Sequence, residues 1–175
     1  EGGAGADTIM GGDGLGDVVS YSMSNTAVNV VLANTAVPGA QATVSGGHAT
    51  GDVVTGVEGV IGSALDDTLF GSTQANLIEG GKGDDQIYSG GGADTVLGGE
   101  GNDSIALYGA TTSIDGGAGI DALDMHYFGS GVSADLSQAR IQNVEQIIGS
   151  NFADTLTGDA LENTLIGGAG ADILD

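Results

Sequence analysis

The stretch Gly80–Asp121, GGKGDDQIYSGGGADTVLGGEGNDSIALYGATTSIDGGAGID, decides the fold of this chain. Divided into nines it reads GGKGDDQIY, SGGGADTVL, GGEGNDSIA, LYGATTSID and GGAGID. Glycine recurs at positions one, two and four, aspartate at position six, and an aliphatic residue at position eight. A glycine-rich hexapeptide followed by three residues with an apolar centre predicts a tight turn and a very short strand.

The residue types at these positions also predict a chemistry. Glycine permits backbone angles that a side chain forbids, so each loop can turn its carbonyl oxygens inward. Carboxylate and carbonyl oxygens together suit a hard cation with six to eight ligands, which indicates calcium. One nonad cannot bury its own position-eight residue, so stacked nonads must share a core. That core is expected to contain Ile87, Val96, Ile105, Ile114 and Leu123.

The pattern GGxGxDxUx extends well beyond the opening stretch. Twelve nonad frames start at residues 2, 11, 62, 71, 80, 89, 98, 107, 116, 149, 158 and 167. The chain therefore resembles the RTX family, the hemolysin-type calcium-binding nonapeptide repeat of secreted bacterial proteins. The resemblance implies an all-β fold, a right-handed parallel β-roll (β-solenoid) with two nonads per turn, here with two strand-rich insertions.

Two nonads per turn would stack loops eighteen residues apart, at about one strand spacing, ~4.8 Å. One edge would then carry Asp67, Asp85, Asp103 and Asp121 in a column, and the opposite edge Asn76, Asp94 and Thr112. Like charges this close repel strongly unless a cation lies between them. Because the first edge has more carboxylates, we predict higher calcium occupancy there than on the second edge.

The predicted calcium ligands are the glycines at positions two and four and the aspartates of the well-preserved loops, together with the aspartates of the two re-entry loops, GSALDD and GSNFAD, which lack glycine at position four. They are Gly3, Gly5, Asp7, Gly12, Gly14, Asp17, Asp67, Gly81, Gly83, Asp85, Gly90, Gly92, Asp94, Gly99, Gly101, Asp103, Gly117, Gly119, Asp121, Asp154, Gly168, Gly170 and Asp172. One register is ambiguous, because an additional Gly16 precedes Asp17.

The frame divides the chain into five segments. Residues 1–19 hold the first nonads, 20–61 a strand-forming insertion, 62–124 the central roll, 125–148 a second insertion, and 149–175 a third repeat segment. The segment from Gly56 matches the segment from Asn143 at a constant offset of 87, so that Glu58 corresponds to Glu145. The duplication indicates that the insertions are joints between roll segments. Leu65 and Phe152 are predicted to fill the core at these joints.

The composition excludes several classes of partner. Asp and Glu number 24 against 2 Lys and Arg, a formal net charge of −22, so binding to nucleic acid or to an anionic membrane surface is not expected. No apolar run is long enough for a transmembrane segment. The absence of cysteine excludes disulfides, so bound metal is the available means of stabilising a small extracellular domain.

No catalytic motif emerges, and we predict that the chain is not an enzyme. His48 and His126 lie in separate insertions without an HExxH context, so a zinc site is not expected. The adjacent carboxylates at 66–67 and 84–85 lie in predicted calcium loops, which argues against a glycosidase pair.

These features predict a module that binds several calcium ions, in a secreted or extracellular protein or in one at the cell surface. Three roles remain open. The chain could belong to a structural surface protein (S-layer, matrix or adhesin). It could be the non-catalytic C-terminal module of a type I-secreted protease, lipase or epimerase, or it could bind polysaccharide. Beyond calcium, self-association or a cell-surface polysaccharide are the partners considered.

Overall fold

The computed structural model describes residues 2–36, 39–108 and 113–175. Within these ranges the regular structure is almost entirely strand, with no α-helix and one 3-10 turn at Gly47–Ala49. The strands are β1 Thr8–Met10, β2 Val18–Ser20, β3 Asn29–Val31, β4 Gln41–Ser45, β5 Val53–Thr55, β6 Gly59–Ile61, β7 Thr68–Phe70, β8 Leu77–Lys82, β9 Gln86–Tyr88, β10 Thr95–Glu100, β11 Ser104–Ala106, β12 Ser113–Ala118, β13 Ala122–Asp124, β14 Ser133–Asp135, β15 Ile141–Gln142, β16 Gln146–Ile148, β17 Thr155–Thr157, β18 Thr164–Ile166 and β19 Ile173–Leu174.

The central strands stack with a spacing of eighteen residues. Strand β10 pairs in parallel with β8 and β12, so that Val96 lies beside Ile78 on one side and Ile114 on the other. Strand β11 pairs in the same way with β9 and β13. Successive nonads therefore alternate between two sheets, and two nonads make one turn. The predicted all-β parallel β-roll is confirmed.

Three sheets result from this winding among the described residues. The longest has the order β1-β5-β4-β3-β7-β9-β11-β13-β16-β18, the second β15-β12-β10-β8-β6-β2, and the third β14-β17-β19. Every pairing is parallel except those of β4 with β3 and β5. In the central roll, consecutive strands alternate between the first two sheets, and the buried residues of both sheets form one core.

The core is built from the position-eight residues, as the pattern predicts. Leu69, Ile78, Ile87, Val96, Ile105, Ile114 and Leu123 are all buried and belong to one hydrophobic cluster. Side chains alternate between the two faces of a strand, so the centre of each three-residue strand points inward while its neighbours point out. Each buried aliphatic side chain contributes about 1.5–3 kcal/mol relative to exposure.

The strands between the nonad runs extend the sheets of the roll instead of lying beside it. Strand β3 pairs in parallel with β7, and β6 lies between β2 and β8. In the later interruption, β15 pairs with β12, and β16 pairs with β13 and β18. Short parallel strands here can join the stack because they also place an apolar residue inward, such as Val30, Val60 and Ile147.

The prediction that Leu65 and Phe152 fill the core at the joints is wrong. Their relative exposures are 43% and 46%, whereas Ser63 and Ser150, two residues before them, are buried. The serines are buried because they hydrogen-bond to a neighbouring aspartate, as described below.

Aromatic residues form a row along one side of the stack. The rings of Phe70 and Tyr88 are stacked, with centroids 4.3 Å apart and planes at 4°. Tyr108 and Tyr127 are stacked further along, at 4.8 Å and 22°. Because these stacked rings cover each other's faces, the row is a packing feature of successive turns.

Candidate calcium sites between stacked loops

The aspartates of the first edge form a continuous hydrogen-bonded column. The backbone N–H of Asp67 donates to Oδ1 of Asp85 at 2.7 Å, and the N–H of Asp85 donates to Oδ1 of Asp103 at 2.8 Å. The N–H of Asp103 donates to Oδ1 of Asp121, also at 2.8 Å. One oxygen of each carboxylate is thus fixed by the loop of the preceding turn.

The second oxygen of these carboxylates has no donor in the protein. Oδ2 of Asp85, Asp103 and Asp121 is buried without a hydrogen-bond partner, and the three residues are at most 2% exposed. A buried polar atom without a partner costs about 1–3 kcal/mol, and more when the group is charged. The site therefore needs either a proton or a cation.

The pKa values of these aspartates are raised, as expected for carboxylates that are buried with one oxygen lacking a donor. Burial, together with the charges of Asp103 and Asp67, raises the pKa of Asp85 to about 7. Burial raises the pKa of Asp121 to about 6, and it also raises that of Asp103. Each carboxylate stays charged at neutral pH only with an energetic penalty, which a bound cation would remove.

Glycine is required where the carboxylate folds back over its own loop. A Cβ on Gly80, Gly98 or Gly116, at position one, would collide with the aspartate of the same nonad. Positions two and four need glycine for a second reason: in the loop at 98, Gly99 and Gly101 have φ of 121° and 136°. Side chains there would also strike the backbone of the preceding loop.

The comparison with known families agrees with this geometry. The model described as RTX calcium-binding nonapeptide repeat (4 copies) matches residues 1–15, 61–96, 70–105, 88–123 and 146–175. These ranges together cover more than half of the chain. The chain belongs to the RTX calcium-binding repeat family. No curated protein matches it.

RTX repeats bind calcium, and the donor set of the first edge fits that ion. The free Oδ2 atoms are hard oxygen donors, and they lie between loops whose other available ligands are backbone carbonyls. No group of three or more His, Cys, Asp or Glu side chains converges on one point among the described residues. An RTX site here must therefore combine one or two carboxylates with carbonyl oxygens.

Two predicted ligands, Asp67 and Asp154, have a different environment. The N–H of Ser63 donates to Oδ2 of Asp67, and its hydroxyl donates to Oδ1 at 2.9 Å. The N–H and hydroxyl of Ser150 bind the two oxygens of Asp154, each at 2.7 Å. Both oxygens of each of these carboxylates accept hydrogen bonds from the protein, and their assignment as calcium ligands stays a prediction.

The donors to Asp67 and Asp154 extend into the interruptions. The N–H of Val28 donates to Oδ1 of Asp67 at 2.6 Å, and that of Val132 donates to Oδ1 of Asp154 at 2.8 Å. Each of these aspartates therefore begins a column, and a strand of the interruption covers it. The signal in the sequence is serine at position two, in GSALDD and GSNFAD.

On the opposite edge the predicted column contains one aspartate, Asp94. Oδ1 of Asp94 accepts the N–H of Asn76 at 2.9 Å, while Oδ2 is buried without a donor. Burial raises the pKa of Asp94 to about 6. Asn76 is held like Asp67, since the N–H and hydroxyl of Ser72 both donate to its Oδ1. Thr112 lies outside the described residues.

The first and last repeat segments place the remaining predicted aspartates. The N–H of Asp7 donates to Oδ1 of Asp52 at 2.9 Å, and Oδ2 of Asp7 is buried without a donor. Oδ1 of Asp172 accepts the N–H of Asp154 at 3.0 Å. Asp52, in the first interruption, was missed by the sequence reasoning because it lies outside the nonad frame.

The predicted glycines adopt the expected backbone with one exception. Positive φ is found at Gly3, Gly5, Gly12, Gly81, Gly83, Gly90, Gly92, Gly99, Gly101, Gly117, Gly119, Gly168 and Gly170. Gly14 is not among them, and Gly16 instead has φ of 95°. The extra residue before Asp17 therefore changes the loop, and the N–H groups of Gly16 and Asp17 both donate to Glu58.

Proposed function

We propose that the chain is a calcium-dependent folding module of a secreted or cell-surface protein, with a structural role such as that of an S-layer, matrix or adhesin protein. The observation that carries the proposal is the column of buried carboxylates, Asp85, Asp103 and Asp121, each with one oxygen that no protein group satisfies. Membership of a calcium-binding family supports it.

The chain itself prepares the sites. Backbone N–H groups fix Oδ1 of each aspartate, which leaves Oδ2 directed to a ligand other than protein. Calcium, when bound, supplies positive charge and accepts several oxygen donors at once. Without it, the formal charge of −22 opposes compaction. Folding and metal binding are therefore one equilibrium.

The proposed ions lie between the loops at 80 and 98, and between those at 98 and 116. Each of these gaps is flanked by two aspartates with a free oxygen, Asp85 with Asp103 and Asp103 with Asp121. On the opposite edge Asp94 is preceded by the neutral Asn76, so the attraction for a cation is weaker there.

The structural role is proposed beside two others, a non-catalytic module of a secreted enzyme and a polysaccharide-binding module. No helix in the described part of the chain has the length and apolar character to cross a membrane. In the aromatic row, Phe70 stacks on Tyr88 and Tyr108 stacks on Tyr127, while Tyr108 and Tyr127 remain 47% and 46% exposed. RTX repeats are generally non-catalytic, and the buried carboxylates of this chain are engaged in the stack.

Circular dichroism of the metal-stripped chain tests the proposal. We expect a coil spectrum in chelator at about pH 8, and conversion to a β spectrum on addition of calcium, because the charged carboxylates of the column are not buried without the cation at this pH. Magnesium at the same concentration is the control, since it demands a stricter octahedral geometry and keeps its waters. A full β spectrum in chelator at low salt, with no calcium bound in equilibrium dialysis, would contradict the proposal.

A further inference from the structure

Two short segments end the runs of nonad loops, and both have the form x-Val-Glu. We call them the joint tripeptides: Gly56–Val57–Glu58 and Asn143–Val144–Glu145. They correspond at the offset of 87 residues that relates the two halves of the chain. Val57 and Val144 are both buried and hold the tripeptides against the core.

The first residue of each joint tripeptide replaces the start of the next loop. In the central stack, a Cβ on Gly80 would meet the carbonyl of Gly98, and a Cβ on Gly98 would meet the carbonyl of Gly116. A Cβ on Gly116 would meet the carbonyl of Asn143. The carbonyl of Asn143 therefore lies where the position-one carbonyl of a further nonad would lie.

The other joint repeats this arrangement. A Cβ on Gly11 would meet the carbonyl of Gly56. Gly56 has φ of 62°, and Asn143 has φ of 51°, the only positive φ outside glycine in the described chain. Asparagine tolerates this left-handed conformation better than most side chains do. Both tripeptides thus share an unusual backbone as well as a sequence.

The glutamate of each tripeptide replaces the aspartate of the next loop. The N–H of Asp121 donates to Oε2 of Glu145 at 2.8 Å, the same length as the bond from Asp103 to Asp121. At the other joint, the N–H of Asp17 donates to Oε2 of Glu58 at 3.2 Å. The longer side chain of glutamate thus places a carboxylate oxygen where an ordinary six-residue loop places the carboxylate oxygen of its aspartate.

Free oxygens remain at both joints. Oδ2 of Asp121 is buried without a donor, and Asp121 is 0% exposed. Oε1 of Glu58 is also buried without a donor, and Glu58 is 5% exposed. These are the same unsatisfied oxygens that mark the gaps between ordinary loops. A hydrogen-bond cap alone would account for Oε2 of each glutamate, but it would leave the buried Oε1 of Glu58 and the buried Oδ2 of Asp121 unexplained.

We infer that Glu145 and Glu58 are calcium ligands that complete a terminal site at each joint, Glu145 with Asp121 and Glu58 with Asp17. The carbonyls of Asn143 and Gly56 supply further oxygens. The inference rests on the proposed function, since it assumes that the ordinary gaps hold calcium. It adds a site at the end of each run, on the side of the last aspartate where no further nonad loop follows.

The substitution Glu145→Gln separates a ligand from a hydrogen-bond cap. The amide oxygen of glutamine can still accept the N–H of Asp121, but the negative charge is lost. We expect the variant to bind one calcium ion fewer by isothermal titration and equilibrium dialysis. We also expect the calcium concentration at the folding midpoint to rise severalfold, because carboxylate count sets calcium affinity.

Glu162→Gln is the matched control. Glu162 is exposed and lines the same surface groove as Glu145, so the control removes an equal charge nearby without touching the joint. Glu58→Gln repeats the test at the other joint. If the wild-type chain binds no calcium, the proposed function fails. If it binds calcium and Glu145→Gln matches Glu162→Gln in stoichiometry and midpoint, the inference alone fails.

A map of the wild-type chain decides the case without any variant, should Glu145→Gln not fold. Crystals grown in calcium and measured for its anomalous signal are expected to show an ion at ligand distance from Glu145 and Asp121. Ions in the central gaps together with only water beside Glu145 would overturn the inference.

Discussion

The loops that begin at Gly62 and Gly80 are neighbours in one stack, yet they satisfy the same buried carboxylate in different ways. In the first, Ser63 donates both its N–H and its hydroxyl to Asp67. In the second, position two is Gly81, and Oδ2 of Asp85 has no donor. Their aspartates are joined directly, since the N–H of Asp67 binds Oδ1 of Asp85.

The residue at position two explains the difference. Gly81 has φ of 115°, whereas Ser63 is not among the residues with positive φ. With serine, the backbone turns its N–H toward the carboxylate and the side chain adds a second donor. With glycine, the N–H turns away and the oxygen is left for a cation. Position two thus separates a loop whose carboxylate is satisfied by the protein from a loop whose Oδ2 has no donor.

The largest expected effect comes from making the same substitution on both sides of this comparison. Asp85→Asn removes a charge that we propose calcium needs, so the calcium concentration at the folding midpoint should rise on the order of tenfold, about 1.4 kcal/mol. Asp67→Asn should shift it less, because both oxygens of Asp67 already accept from the protein and neither is left for a cation. The new amide NH2 would face the N–H of Val28 or Ser63, so this variant is also expected to lose some stability in excess calcium.

Calcium titrations followed by circular dichroism compare the two variants with the wild-type chain. Each substitution is isosteric and removes one charge, so the net charge is the same in both and general electrostatics cancel. Equal midpoints for Asp85→Asn and Asp67→Asn would show that the serine donors do not replace a cation.

A smaller effect is expected from removing one serine hydroxyl. Ser63→Ala deletes the donor to Oδ1 of Asp67 but keeps the backbone N–H, so it should destabilise the calcium-bound fold by about 1–3 kcal/mol. The number of bound ions should stay the same, because Asp67 takes no part in a calcium site under this proposal. Thermal unfolding in excess calcium and equilibrium dialysis measure the two quantities.

Ser104→Ala is the control for this change, since Ser104 is an exposed serine on β11 of the same stack. If Ser63→Ala is as stable as Ser104→Ala, or if it loses a bound ion, then the serine donors of the loop at 62 do not replace a cation at Asp67.

The periodic part of the molecule is well predicted from sequence, because one pattern carries both the core and the turns. Position eight identifies the buried residues, and the eighteen-residue stacking that the family resemblance implies places Asp85 beside Asp103. By the same pattern, Asp67 and Asp85 both lie at position six and are both predicted as calcium ligands. The pattern misses that Ser63 is a donor, because serine at position two looks like a degenerate glycine.

The joints are harder to predict because their contacts obey no period. The partners of Asp7 and Asp17 are Asp52 and Glu58, 45 and 41 residues away along the chain. Only the duplication at an offset of 87 marks Glu58 and Glu145 as a pair, and it does not show what they bind. Leu65 and Phe152 were predicted inside from their apolar character alone, but their side chains are exposed on the loops whose serines turn inward.

The smallest expected effect is a pH dependence of the metal-free chain. Burial raises the pKa of Asp85 from 3.8 to about 7, and those of Asp94 and Asp121 to about 6. A folded-state pKa above the unfolded one means that the folded chain holds more protons. The resulting stability is complete below the unfolded pKa and is lost as the pH rises through about 6 to 7.

Calcium-stripped protein should therefore regain part of its β signal when the pH is lowered from about 8 to about 5, still above the pI of 4.1. In calcium the dependence should reverse, because protons compete for the same oxygens.

Circular dichroism at both pH values, with and without calcium, measures the β signal. Asp85→Asn is the control, and its recovery on acidification should be smaller, because the group with the highest of these pKa values is gone. A metal-free β signal that is unchanged or weaker at the lower pH would mean that the charge on the buried carboxylates of the column is not what prevents the metal-free roll from folding.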